Sequence, residues 1–156
     1  MLTIICKKAG LTRLAALATC AMLLSFSTGS GGEGFEIYLN NKVVLQQFGS
    51  NMNTVKTLKL DQATANDEIS VKYYHCGKVG KNRIITIKDE QEKALKQWKF
   101  SDASDVANGM TCKVKDILGL KIGKSSLLKL YYSSSELPKE RQLASISVAT
   151  KNIAKL

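Results

Sequence analysis

From residue 35 onward, apolar and polar residues alternate with a period of two, in short runs set apart by Asn, Asp, Gly, Ser and Lys. That period belongs to half-buried strands, whose successive side chains point to opposite faces of a sheet. In the first run, residues 35–39, Phe35, Ile37 and Leu39 share one face, and Glu36 and Tyr38 the other. Asn40, Asn41 and Lys42 follow; asparagine tolerates the positive φ that a primed hairpin turn demands, so residues 43–48 are expected to return antiparallel. Residues 55–60 form a third run burying Leu58 and Leu60. A fourth, 68–75, turns Ile69, Val71 and Tyr73 inward and Lys72 and Tyr74 outward. Residues 83–89 and 95–100 read as a hairpin through Glu90, Gln91 and Glu92. Strands at 110–114, 127–133 and 142–148 complete the series, with residues 116–120 turning away from the seventh. Helical character is confined to a turn near 103–108 and to the tail, 149–156.

Eight or nine short strands at this spacing predict an all-β domain over residues 35–148, either a sandwich or a small β-barrel. The pattern favours an immunoglobulin-like antiparallel β-sandwich. Each strand offers one apolar face, and Trp98 with Phe100 is expected to fill the space between two sheets. Tyr74, His75, Cys76, Gly77, Gly80, Lys81, Arg83, Ile85, Ile87, Lys88, Asp89 and Glu90, continued by Leu95, Lys96, Trp98, Phe100 and Asp102, resemble a stretch found in short exported bacterial β-sandwich proteins. The resemblance covers about the central half of the domain and implies a fold and a location, with no activity attached.

Ahead of the domain, residues 1–27 have a basic opening with Lys7, Lys8 and Arg13, an apolar run from Leu14 to Phe26, and a small-residue exit. This is the layout of a secretory signal peptide. The apolar run is too short for a bilayer-spanning helix, which takes about 20 residues. Ser25 and Ser27 fit the small positions before a peptidase cut, leaving Thr28 first and a Gly-rich stretch, 28–34, expected to be flexible. A rival reading makes Leu17, Ala18, Thr19 and Cys20 a degenerate lipobox; against it, the apolar run continues past Cys20 through Leu24. The processed chain is therefore expected in the periplasm or outside the cell, with no transmembrane segment.

Charge narrows the partners. The chain has 23 basic and 13 acidic residues. Losing residues 1–27 removes three basic residues and no acidic one, which leaves a formal charge of +7. Nearly all the remaining cations are lysines, diffuse point charges that lack the bidentate fork of arginine, so the balance reads as a solvated basic surface and not as a specific nucleic-acid site.

Candidate chemistry is sparse. Cys76 and Cys112 remain in the processed chain as a candidate disulfide: closing that loop would add roughly 3 to 4 kcal/mol on the chain-entropy model. Strand parity opposes the bond, with Cys112 facing in beside Met110 and Val114 and Cys76 facing out. The single histidine, His75, is too few for a blue-copper or catalytic zinc site, so no metal or cofactor is expected. A Cys112–His75 dyad is topologically conceivable, but nucleophilic catalysis also needs an accessible low-pKa thiolate and an oxyanion hole. Asp89, Glu90, Glu92, Asp102 and Asp105 read as turn residues, and Gly77, Gly80 and Lys81 lack the Walker pattern.

The remaining surface signal is an outward row of aromatics with lysines: Tyr38, Tyr74 and Tyr131, flanked by Lys72 and Lys129. Exposed tyrosines stack on sugars or pack against protein; they also serve as cross-strand packing residues. Three readings follow: a non-catalytic exported binding or structural module with an envelope protein or other partner, a glycan-binding domain using the tyrosines, and a cysteine-dependent enzyme.

Overall fold

The computed structural model describes residues 32–60, 63, 65–105, 109–120 and 127–148. The expected signal peptide, the Gly-rich stretch up to residue 31, the lipobox and the tail 149–156 lie outside them. Among the described residues there are nine strands: β1 (Gly34–Leu39), β2 (Lys42–Phe48), β3 (Lys56–Lys59), β4 (Glu68–Tyr74), β5 (Arg83–Lys88), β6 (Ala94–Phe100), β7 (Met110–Lys113), β8 (Leu127–Ser133) and β9 (Arg141–Ser147). They form two sheets, ordered β2-β1-β4-β7 and β3-β9-β8-β5-β6. Each sheet ends in two edge strands, so the architecture is a sandwich and the barrel alternative does not apply. The orders β1-β4-β7 and β9-β8-β5-β6 reproduce A-B-E and G-F-C-C′ of an immunoglobulin-like sandwich.

One pairing departs from the antiparallel expectation. β3 runs parallel to β9, with Lys56 opposite Ala144 and Lys59 opposite Ser147. The chain does not make a hairpin after β2; it crosses from one sheet edge to the other through a 3-10 turn, Gly49–Asn53, and so enters beside β9 in the same direction. Gln47 secures that crossing from its buried position, its Nε2 donating to the carbonyls of Asn51 at 2.5 Å and Thr54 at 2.8 Å.

Turn chemistry follows the residues. Asn40 and Asn41 both take positive φ, 50° and 66°, and close the β1–β2 hairpin. Past the turn, Val44 is an extra residue on β2: Tyr38 pairs with Val43, but Ile37 pairs with Leu45. This β-bulge is what turns Leu45 inward, because without it a one-residue offset would send Leu45 to solvent and bring Gln46 in. The tight β4–β5 turn uses Cys76 at φ 51° and Gly77 at φ 83°. No helix forms at residues 103–105; the one-turn helix α1 is Val114–Leu118, which buries Val114 and Ile117 three positions apart on one face.

The core lies between the sheets. Ile37, Ile69, Val71 and Phe35 meet Ile85, Ile87, Leu128, Leu130, Leu143 and Ile146, with Tyr73 and Tyr132 at one end. Trp98 and Phe100 pack against this core from β6, opposite Ile85 and Arg83, but at its margin and not at its centre. Both are only partly buried, because β6 is the outer strand of its sheet and has a neighbour on one side only. Leu130 is 1 % exposed; Leu130→Ala is therefore expected to lower unfolding free energy by about 2 to 5 kcal/mol with an unchanged denaturant slope, measured by urea titration.

Candidate functional site

Strand alternation builds the first candidate surface. Burying Phe35, Ile37, Val71 and Tyr73 leaves Glu36, Tyr38, Lys72 and Tyr74 on the outer face of the four-stranded sheet. Register puts Gly34 between Phe48 and Tyr74, and Glu36 between Gln46 and Lys72. With no side chain on Gly34, the Phe48 ring lies directly over it, and a Cβ there would meet the ring at 2.0 Å. Phe48 packs against Tyr74 with ring centroids 5.8 Å apart. Glu36 Oε2 accepts from both Tyr38 at 2.6 Å and Tyr74 at 2.8 Å, and Lys72 Nζ sits 4.9 Å from the Tyr38 ring centre.

Three aromatic rings are thus ordered around one carboxylate and one ammonium. The hydrogen bond to Glu36 raises the Tyr38 pKa, and partial burial with the same carboxylate pushes Tyr74 up to about 12, so both hydroxyls stay protonated donors.

The expected single row of tyrosines is split. Tyr131 and Lys129 belong to β8, in the other sheet, and face the opposite side of the sandwich. There Tyr131 donates to Glu92 at 2.9 Å, Lys129 pairs with the same carboxylate, and Lys88 Nζ lies 4.5 Å from the Tyr131 ring centre while bonding Glu140. Partial burial and Glu92 push the Tyr131 pKa up to about 12. In this second patch every charge is met by its neighbour.

The end of the sandwich that carries the β4–β5 and β8–β9 turns holds a polar cluster that sequence reasoning missed. Glu33, His75, Cys76, Lys78 and Glu136 line a depression of about 290 Å³. Beneath it, Tyr73 stacks on Tyr132 across the two sheets at 4.4 Å, and His75 lies against the Tyr73 ring at 4.7 Å. His75 Nε2 is 2.9 Å from the Tyr132 hydroxyl and 3.3 Å from Ser134 Oγ. Tyr73 donates to Glu33, which also pairs with Arg141 at 3.4 Å. Ser134 Oγ meanwhile accepts from the Leu137 amide.

Cys76 and Cys112 are both free, so the candidate disulfide is not formed, as strand parity argued. Cys112 sits opposite Ile69, while His75 and Cys76 lie six and seven residues further along the β4 direction, on the order of 20 Å away. The same distance rules out the Cys112–His75 dyad. Burial, with Asp116 adding to it, pushes the Cys112 thiol up to about 12, which leaves it inert. Among the described residues, no group of three or more His, Cys, Asp or Glu is arranged to hold a metal, and no helix is long and apolar enough to cross a membrane.

No protein-family model matches the chain, and no curated protein matches it either. The residues themselves therefore carry the functional argument.

Burial holds the His75 imidazole below its ordinary 6.5, against Glu136 and Glu33 and with Lys78. In the unfolded chain the ring takes up its proton near 6.5, before the folded protein does, so stability present above that pH is lost as pH falls towards the depressed folded value. The carboxylates with lowered values, Glu92 and Glu136, act only below their ordinary 4.5. Urea titrations at pH 7.5 and 5.0 should show the acid sample less stable, and His75→Asn should flatten that difference.

Proposed function

We propose that this chain is an exported, non-catalytic binding module, and that its working surface is the outer face of the four-stranded sheet. The observation that carries the reading is the alignment of Phe48, Tyr74 and Tyr38 around Glu36 and Lys72 on a sheet face. Rings held by a common carboxylate lose little freedom when a ligand arrives, which favours binding by stacking. Neighbouring donors and acceptors suit hydroxyl-rich ligands, so a glycan is the ligand class this surface fits best.

The export part rests on the basic, apolar and small-residue layout of residues 1–27. Support for a non-catalytic role comes from the reactive groups: the Cys112 thiol is buried and inert, and the Ser134 hydroxyl near His75 is buried and engaged with a backbone amide. The Tyr131 and Lys129 patch is left out of the surface because its charges are already paired with Glu92 and Glu140.

A glycan array probed with the processed protein is expected to give selective signal. Phe48→Ala and Tyr74→Ala should each weaken the best ligand tenfold or more in calorimetry, while Tyr131→Ala leaves it within twofold. Retention of affinity in both face variants would remove this surface from consideration.

A further inference from the structure

Four strands end the two sheets, and three of them carry recognisable protection against pairing with another chain. β3 and β7 are four residues long, with Lys56 and Lys59 exposed on the first and Lys113 on the second. β6 is seven residues long but exposes Lys96 and Lys99. Short length and lysines are common ways of blunting an edge. β2 differs: it is seven residues long, and from Val43 to Phe48 it has no charge, no proline and no glycine.

Of the exposed large apolar side chains, Val43 at 41 %, Val44 at 39 % and Phe48 at 42 % lie on β2, and Val55 at 45 % immediately precedes β3. The bulge at Val44 is the one irregularity on this edge. It affects only the start of the strand and sets Val43 and Val44 side by side at the surface.

Between the β2 and β3 edges runs a groove of about 490 Å³, lined by Val43, Val44, Leu45 and Gln46 on one side and by Lys56 and Thr57 on the other. Lys42 opens β2 just beyond it. Val43, Val44 and Leu45 make up the apolar part of the lining, Gln46 and Thr57 add polar groups and Lys56 a positive charge, with no acidic residue in it. We infer that the β2 edge is a docking site for an extended acidic segment of a partner protein, added as a fifth strand beside Leu45–Phe48.

Main-chain pairing with the open edge gives such a segment affinity, and alternate side chains give it selectivity. Its apolar residues cover Val43 and Val44, and its carboxylates reach Lys42 and Lys56. A second copy of this chain fits less well. It would bring the same lysines to the groove, where no acidic residue meets them. This site is separate from the stacking face: it uses the strand's edge, whereas the glycan reading uses the rings above the sheet.

The test is selection of a displayed library of random ten-residue segments against the full chain. Enriched segments should alternate β-branched or aromatic residues with Asp or Glu, and amide shifts on binding should centre on Lys42–Phe48. The Lys42→Glu/Lys56→Glu double variant changes only exposed side chains and should weaken the selected segments tenfold or more, whereas Tyr74→Ala should leave them within twofold. The proposal is overturned by a library that yields no binder, by enriched segments that are basic or lack alternation, by binding that survives the double variant, or by concentration-dependent dimerisation abolished in Val44→Glu.

Discussion

The sandwich depends on the contact between Tyr73 and Tyr132. β4 and β8 occupy the positions that a disulfide joins in antibody domains, yet here Cys76 and Cys112 are both free, and among the described residues no covalent link crosses the core. In its place a tyrosine from each sheet stacks at 4.4 Å, with His75 packed on one ring and near the hydroxyl of the other. Burial of two phenols is tolerable because both hydroxyls have partners: Glu33 for Tyr73, and the His75 and Ser134 pair for Tyr132. Arg141, the first residue of β9, extends the cluster through Glu33 and so ties β9 to the segment entering β1.

This contact also sets the surfaces. Four of the five tyrosines come in adjacent pairs, and fixing Tyr73 and Tyr132 inward obliges Tyr74 and Tyr131 to face outward, on opposite sides of the sandwich. One side then differs from the other for electrostatic reasons. Glu36 takes two hydroxyl donors and leaves aromatic surface open beside Lys72. Glu92 and Glu140 instead neutralise Lys129 and Lys88 and close their side. The proposed binding role rests on this difference between the two sides.

The strands were legible because burial on one face imposes a period of two, and all nine runs lie within a residue or two of the observed elements. Inward placement of Ile69, Val71 and Tyr73 and outward placement of Lys72 and Tyr74 follow from the same rule. What alternation does not encode is the partner across the sheet. Phe48 reaches Tyr74 only because Val44 is bulged and Gly34 has no side chain, and neither effect is written in the local pattern. The depth of Trp98 was hidden for a similar reason: it packs against the core as its size suggests, but only partly buried, because its strand lies at a sheet edge, a property of topology and not of residue type. The His75 cluster went unseen because Glu33, Tyr132, Ser134 and Glu136 join it only when two turns distant in sequence meet at one end of the sandwich.

A double-mutant cycle on Tyr73→Leu and Tyr132→Leu, read by urea unfolding, measures the inter-sheet contact directly. The stack predicts a coupling of about 0.5 to 1.5 kcal/mol between the two positions. Additivity within about 0.3 kcal/mol would mean the rings are independent space-fillers and would contradict the account.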